Sequence, residues 1–279
     1  MAAEIGKTRP SSSASPASST ELFELTIYGG APENRYRRLR PDVEQIDWQR
    51  LCPKRVPGAT LVAARRSWTA AALQEYATAS AHALMLRALI RARVPLDLSA
   101  VASRFPLDEL AHAEICARIA GAFGGGTPLE YDREQLFPIP KTRNVPPEIE
   151  AAEVVIQNCV SESWSHELLH LAWEAERHGE LKKARGRLAK DEAGHGRFGW
   201  LYLDWLEPGL EQADRETLRK QATRVTAVVE RGISATADAP EELFGPLTSQ
   251  PFGKRDFQTL ATQALERRVR RPLRDRGLA

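Results

Sequence analysis

The 279-residue sequence has few cysteines and no long apolar run. Its three cysteines, Cys52, Cys116 and Cys159, are odd in number and far apart, which argues against a disulfide scaffold and favours a reducing cytoplasm. No Cys-x-x-Cys pair occurs. No apolar stretch approaches the roughly 18 residues that a membrane-spanning helix requires, so we expect no membrane association.

The N-terminal 20 residues are rich in serine and alanine and lack an apolar core. We therefore expect a disordered tail at residues 1–20 rather than a secretory signal peptide. The apolar share of 42% and the charged share of 27% are ordinary for a soluble globular protein. The length allows one domain with a full core and extensions on either side.

The pattern Asp-Glu-x-x-His occurs twice, at 108–112 and at 191–195. Residues three apart on an α-helix lie on one face, so the glutamate and histidine of each copy can hold one metal ion with one oxygen and one nitrogen. The four ligands predicted in this way are Glu109, His112, Glu192 and His195.

A site with two metals also needs carboxylates that bridge them, and a helix bundle can supply one glutamate from each of two further helices. Glu75 lies in the apolar run 70–90 before the first motif, and Glu162 lies in the apolar run 154–173 before the second. We expect these two glutamates to be the bridging ligands. Each predicted ligand sits among apolar residues, where a lone buried charge would be costly, and this favours a metal site over a chance repeat on exposed helices.

The order Glu, Glu-x-x-His, Glu, Glu-x-x-His resembles the ferritin-like di-iron carboxylate superfamily over roughly residues 61–206. This superfamily includes rubrerythrins, aldehyde-deformylating oxygenases, the hydroxylase subunits of bacterial monooxygenases and a tRNA hydroxylase. The rubredoxin-type iron site of rubrerythrins needs Cys-x-x-Cys pairs, which are absent, so electrons would come from an external donor.

The resemblance implies an all-α, ferritin-like four-helix bundle with a long crossover between helices two and three, followed by C-terminal helices. We divide the chain into a tail (1–20), an N-terminal arm (21–58), the di-metal bundle (59–208) and a C-terminal helical extension (209–279). Apolar periodicity, proline and glycine place the bundle helices at about 59–93, 107–123, 147–178 and 180–206, and two further helices at 211–231 and 257–271. The arm is irregular or mixed, with a short strand within 21–28.

Two aspartates directly precede the ligand glutamates. One residue turns a helix by about 100°, so Asp108 and Asp191 should point toward a neighbouring helix. There each carboxylate can accept the remaining ring N–H of a ligand histidine, as such aspartates do in the monooxygenase hydroxylases of the resembled superfamily.

Two other histidines lie at helical spacing from predicted ligands. His166, four residues after Glu162, either adds a ligand, orients a ligating carboxylate, or is simply packed or partly exposed. His82, seven residues after Glu75, shares roughly its face but is left out of the ligand set, because a lone histidine there is more often a core residue.

Three glycines, Gly194, Gly196 and Gly199, fall inside the fourth bundle helix, where each costs about 1 kcal/mol relative to alanine. They allow either close helix packing, for example against Trp164, or room beside the metals for substrate or oxygen. The segment 254–276 is basic, which indicates either a solvated helix face or a surface for an acidic partner such as a carrier protein or an RNA.

Carboxylate and imidazole donors suit iron or manganese, so we expect two Fe ions, with Mn or a mixed pair as alternatives. The resemblance implies that the reduced metals react with O2 as co-substrate to oxygenate or oxidise a small organic or carrier-bound substrate. The alternatives are a ferroxidase or iron-handling protein and dimanganese peroxide or catalase chemistry. Arylamine N-oxygenases of the superfamily carry a further histidine at the position of Leu188, so this chain departs from that group. A homodimer is also expected.

Overall fold

A computed structural model describes residues 20–138 and 145–279, except for the side chain of Cys159. The predicted tail therefore lies outside the described residues apart from Thr20. The described chain is mainly helical. Its elements are β1 (Thr20–Leu22), α1 (Gly30–Leu39), α2 (Gly58–Arg91), α3 (Leu96–Ala102), α4 (Phe105–Ala122), β2 (Glu130–Asp132), α5 (Arg133–Leu136), α6 (Pro147–Ala175), α7 (Gly179–Leu206), α8 (Gln212–Ala235), α9 (Lys254–Leu265) and α10 (Arg271–Asp275).

Four long helices form the bundle. Helix α2 packs along α4, α6 packs along α7, and contacts between α2 and α6 join the two pairs. The predicted all-α bundle, with a long connection between its second and third helices, is confirmed. No helix in the described part of the chain is long and apolar enough to cross a membrane.

Proline and glycine set the ends of the bundle helices that follow α2. Pro106 occupies the first turn of α4, where its missing N–H costs nothing. The helix ends where Gly124 and Gly125 adopt φ angles of 114° and 110°, which residues with a side chain rarely adopt. Helix α6 starts at Pro147 with Glu148 and Glu150 in its first turn, which complements the helix dipole.

The N-terminal arm is attached to the crossover between α4 and α6. Strand β1 pairs antiparallel with β2, and Glu21 lies opposite Tyr131. The backbone N–H of Phe23 continues the ladder by donating to the carbonyl of Leu129. The strand ends at Leu22, earlier than the predicted 21–28 segment, and the arm contains a helix, α1, that the sequence analysis does not predict.

The C-terminal extension covers α6. Helices α8 and α9 both pack against it, and α9 continues through a π-helical turn, Glu266–Arg270, into α10. Pro272 lacks an N–H and interrupts the regular α-helical hydrogen bonds there, which accounts for the wider turn. Most basic residues of 254–276 pair with acids of the chain: Arg267 and Arg268 both reach Glu167. A helix face neutralised by internal ion pairs therefore accounts for most of the basic segment.

Apolar side chains form two core clusters at opposite ends of the bundle. One contains Met85, Phe105 and Phe198, and the other contains Trp68 and Ile115. Helices α2, α4 and α7 contribute to both clusters, so their middles lie between them, whereas α6 contributes to the first cluster on both sides of Glu162, through Val160 and Leu168. The predicted metal ligands occupy that middle layer.

Helices α6 and α7 approach each other closely at Gly196. A Cβ added there would lie 3.2 Å from Cα of Ser163 and 3.3 Å from the carbonyl oxygen of Glu162. A Cβ on Gly194 would meet nothing within 4 Å. At Gly196 the close-packing interpretation is therefore correct, but the neighbour is the backbone beside Glu162 rather than Trp164.

Replacing Gly196 by alanine should destabilise the fold. Overpacking against a backbone costs about 1–3 kcal/mol, and the better helix propensity of alanine returns only about 1 kcal/mol. Gly194→Ala on the same helix is the matched control and should stabilise by about 1 kcal/mol. Urea unfolding midpoints of both variants measure the difference. Equal stabilisation by both substitutions would contradict the close approach.

Candidate metal centre

Seven buried or half-buried side chains meet in the middle layer, from all four long helices. We call them the central cluster: Glu75, His82, Glu109, His112, Glu162, Glu192 and His195. They form two groups, in each of which one ligand atom per residue lies within 4.8 Å of the others. The Glu75 group comprises Glu75, Glu109, His112 and Glu192, and the His82 group comprises His82, Glu109, Glu162 and His195.

Helical spacing brings these side chains together. Glu109 and His112 are one turn apart on α4, Glu192 and His195 one turn apart on α7, and α2 and α6 supply the others. Glu109 and His112 are completely buried. The structure thus brings all six sequence-predicted ligands into one place; that they bind metal remains a prediction.

The two motif glutamates lie between the two motif histidines. Glu109 places Oε1 3.0 Å from Nδ1 of His195 and Oε2 3.5 Å from Nδ1 of His112. Glu192 does the same in the opposite sense, with Oε1 3.2 Å from His112 and Oε2 3.6 Å from His195. Glu109 and Glu192 therefore occupy the positions that ligands shared by two metals would need.

The expectation that Glu75 and Glu162 bridge the metals differs from this geometry. Oε2 of Glu75 lies 3.7 Å from Nδ1 of His112, whereas Oε1 of Glu162 lies 3.5 Å from Nε2 of His82. Each therefore belongs to one group only. The reason is tertiary: the helices that carry the motifs face each other across the centre, which spacing along the chain does not reveal.

The two predicted aspartates lie behind the histidines in a crossed arrangement. Nε2 of His112 is 3.0 Å from Oδ2 of Asp191, and Nε2 of His195 is 3.6 Å from Oδ2 of Asp108. Each aspartate thus serves the histidine of the other motif. Both histidines direct Nδ1 into the cluster, as they must if the aspartates hold the proton on Nε2.

One arginine connects the two aspartates. Arg187 pairs with Asp191 and lies 3.8 Å from Asp108, and its Nε is 2.6 Å from Asp42 of the arm. Its side chain is only 10% exposed. The N-terminal arm therefore takes part in holding the outer layer of the site.

Burial and hydrogen bonding divide the carboxylates into two kinds. Burial raises the pKa of Glu75 to about 8 and, together with the charge of Glu192, raises the pKa of Glu162 well above its ordinary value. Burial also acts on Glu109, but the adjacent imidazoles of His112 and His195 hold its pKa well below its usual range. For Glu192, burial and the charge of Glu109 raise the pKa, but the same two imidazoles outweigh them and the pKa falls to about 2.

The motif histidines respond in the opposite direction. Burial lowers the pKa of an imidazole, but for His112 the adjacent carboxylates of Glu109, Glu192 and Glu75 outweigh it and the pKa lies well above its usual value. For His195, the adjacent carboxylates of Asp108, Glu109 and Glu192 outweigh burial and raise the pKa to about 12. Without metal, the imidazolium ions of His112 and His195 and the raised pKa values of Glu75 and Glu162 therefore offset the negative charge of the cluster.

The cluster fits two divalent cations. Both oxygens of Glu109, Oε2 of Glu192 and Nδ1 of both His112 and His195 are buried without a hydrogen bond of good geometry to any described residue. Two ligands about 2.0–2.2 Å from one ion lie roughly 3–3.5 Å apart, which is close to the separations seen here. Oxygen and imidazole donors without thiolate suit iron or manganese.

The structure distinguishes the two other histidines: His166 agrees with the packed or partly exposed alternative, and His82 differs from the sequence-based interpretation. His166 is half-buried and belongs to neither group; burial and then the charge of Arg268 lower its pKa. His82 is 1% exposed and belongs to the second group, although the sequence analysis left it out. Its position two turns after Glu75 was the available signal, but spacing alone could not show which helices that face meets.

A cavity of about 740 Å³ adjoins the Glu75 side of the cluster. Glu75 and Cys116 form its inner end, and Trp68, Trp164 and Phe244 contribute aromatic walls. Burial raises the pKa of the Cys116 thiol well above its usual value, so this cysteine is an inert apolar wall. The opposite side of the cluster is closed by Phe105, whose ring centroid lies 4.3 Å from that of His195.

No family model, curated protein or solved structure matches the chain. Functional interpretation therefore depends on the geometry of the cluster and on the motifs that build it.

Metal loading should release protons. At neutral pH the raised pKa values favour the protonated forms of His112, His195 and Glu75, and each must lose its proton to act as a ligand. Raising the pH removes this competition, so metal affinity should rise with pH and fall below neutrality. Anaerobic titration with Mn(II) in weak buffer containing a pH indicator measures the release. Tight binding without acidification at pH 7 would contradict the assigned protonation.

Proposed function

We propose that the protein is a non-haem di-iron oxidoreductase that uses O2 to oxygenate or oxidise an organic substrate. The observation that carries the proposal is the central cluster, in which four carboxylates and three histidines from four helices are buried together beside a cavity. Buried carboxylates without hydrogen-bond partners are costly unless protons or cations neutralise them. Two divalent cations would neutralise these carboxylates and would bind the ligand atoms that have no hydrogen-bond partner.

The residues divide the work between holding the metals and fixing the ligands. Glu109 and Glu192, which lie between the two motif histidines, would hold both metals, and His112 and His195 would each hold one through Nδ1. Nε2 of His112 is hydrogen-bonded to Asp191, and Asp108 lies 3.6 Å from Nε2 of His195, so both carboxylates favour the tautomer that leaves Nδ1 free and raise ligand basicity. When bound, the di-iron centre would supply O2 reduction, with electrons from an external donor.

The cavity favours an enzyme over an iron-handling protein. Its volume is within the usual range for small-molecule sites, and its walls are largely apolar or aromatic with a few polar groups such as Gln74, Ser165 and Arg66. Iron transit requires no apolar chamber of this size. A small organic molecule, free or carried as a group on a larger carrier, fits the chamber best.

The C-terminal extension builds one wall of this cavity. The loop from Leu243 to Gln250 crosses α2, where Nε1 of Trp68 donates to the carbonyl of Leu247 and the backbone N–H of Ser249 donates to Oγ of Ser67. Arg185, 1% exposed, donates to the carbonyl of Thr248 and pairs with Glu176 at 3.1 Å. A bare storage bundle has no use for such a wall, whereas a substrate chamber does.

The remaining expectations form part of the same proposal. Cys52 and Cys116 are free thiols, which suits a cytoplasmic enzyme. Arg255 and Arg271 of the basic segment are candidates to meet an acidic carrier, because many of the neighbouring basic residues already have acidic partners within the chain.

Anaerobic Fe(II) loading followed by mixing with O2 tests the proposal. We expect about two irons per chain and a centre whose oxidation is faster than, and independent of, mineral formation. Glu109→Gln and Glu192→Gln should lose most of the metal because each removes a carboxylate between the two positions. Glu167→Gln is the control, since Glu167 is a buried glutamate of α6 outside the cluster.

The outcomes separate the alternatives. Oxygen consumption that an added organic substrate stimulates supports the oxygenase. Repeated Fe(II) oxidation with growth of a ferric mineral would make iron handling the function, and peroxide turnover by the Mn-loaded protein would make it dimanganese chemistry. Full metal retention in both cluster variants would overturn the site.

Filling the cavity should block substrate without removing metal. Ala71 lines the cavity one turn before Glu75, so Ala71→Phe narrows its inner end. The dye 1-anilinonaphthalene-8-sulfonate, followed by energy transfer from Trp68 and Trp164, should bind at least about tenfold more weakly, which corresponds to roughly 1.4 kcal/mol. Ala83→Phe, at an exposed position of the same helix, is the control. Unchanged dye binding in Ala71→Phe would show that the cavity is not the binding site.

A further inference from the structure

We propose that His82 is a seventh protein ligand of the di-metal centre and makes its two metal positions chemically different. The inference rests on the proposed function, because it assigns a residue to the metals that function requires. It starts from a side chain that the repeated motif does not include.

The imidazole of His82 lies between two predicted ligands. Its Nδ1 is 3.4 Å from Oε1 of Glu109, and its Nε2 is 3.5 Å from Oε1 of Glu162. The ring centroid lies 5.1 Å from that of His195, at an interplanar angle of 75°. His82 is therefore inside the cluster, between α4, α6 and α7, rather than behind it.

The Nδ1 separation suits shared coordination with Glu109 better than hydrogen bonding, whereas Nε2, which points away from such an ion, keeps its proton on the side of Glu162. Good N–H···O bonds have N···O distances of about 2.7–3.2 Å, whereas two ligands about 2.1 Å from one ion lie roughly 3–3.5 Å apart. Nδ1 of His82 is buried and makes no hydrogen bond to any described residue. A buried polar atom without a partner destabilises the fold, and the His82 side chain is only 1% exposed. A metal ion bound to Nδ1 would supply the missing partner.

The extra imidazole makes the two groups unequal. The Glu75 group offers three carboxylates and one imidazole, and the His82 group offers two carboxylates and two imidazoles. Oε2 of Glu192 also lies 3.6 Å from Nδ1 of His195 and can complete the His82 group. The metal position on the His82 side thus has more protein ligands and more nitrogen.

The surroundings of the two positions differ in the same direction. Phe105 packs against both imidazoles of the His82 group, with centroid distances of 5.4 Å to His82 and 4.3 Å to His195. The cavity instead reaches Glu75. On the His82 side, protein side chains therefore occupy the coordination positions of the ion. Exogenous molecules bind the ion on the Glu75 side, which the cavity reaches.

Metal counting and proton NMR of the Co(II)-loaded protein test the role of His82. A coordinated imidazole that keeps one N–H gives a strongly shifted, exchangeable proton signal, so His82, His112 and His195 should each give one. In His82→Gln one of these signals should disappear, and the affinity for one of the two ions should fall by about 100-fold. His166→Gln, a half-buried histidine outside both groups, should change neither readout.

The results distinguish this inference from the proposed function. Two bound ions with unchanged affinity and all three signals in His82→Gln would overturn the role of His82 and leave the di-metal site intact. If His82 only orients carboxylates and binds no metal, the wild-type protein would give two shifted signals instead of three, because only His112 and His195 would be coordinated. Glutamine could then still donate the orienting hydrogen bond. That result would also overturn the role of His82 as a ligand. A wild-type protein that binds no metal would overturn both proposals. Equal thermal unfolding of the metal-free proteins checks that the variant folds.

Discussion

Burial of four carboxylates in the middle of an apolar bundle is the constraint on which the rest of this structure depends. Such groups cannot remain charged side by side away from water, so each needs a proton, an imidazolium or a cation. The chain meets this need by pairing Glu109 and Glu192 with two histidines and by raising the pKa of Glu75 and Glu162. A polar layer that needs compensation from four helices also fixes how those helices must align.

The N-terminal arm and the C-terminal extension stabilise the helices that carry this polar layer. The arm contributes Asp42 to the arginine that holds both aspartates, and it pairs with the crossover through β1 and β2. The extension contributes the loop that Arg185 anchors over α2. Neither segment carries a cluster ligand, but each limits the movement of a helix that does.

The sequence was sufficient for what depends on local geometry. Glu109 and His112 come together because they are one helical turn apart, and the glycines after α4 and the proline before α6 end and begin helices wherever they occur. The four bundle helices and the six predicted ligands follow from such rules. Helix α1 was missed because it buries no apolar face; its Glu33 and Arg37 pair was the local signal for it.

The sequence could not predict which residues of each helix face the centre, because this depends on how the helices are rotated in the assembled bundle. Glu109 and Glu192, rather than Glu75 and Glu162, lie between the two motif histidines because α4 and α7 meet across the centre. Spacing put both His82 and His166 on roughly the same helix face as a predicted ligand, but the first turns toward α4 and α7 and the second toward Arg268 of the extension. Rotation about a helix axis in the assembled bundle decides between such residues.

The crossed pairing of aspartates and histidines limits how far α4 and α7 can slide along each other. Asp108 belongs to α4 but lies behind the histidine of α7, and Asp191 belongs to α7 but lies behind the histidine of α4. A slide of one helix along the other by a single turn, about 5.4 Å, would separate both pairs at once. The two aspartate–histidine pairs therefore fix the axial register between α4 and α7, and they do so without a bound ion.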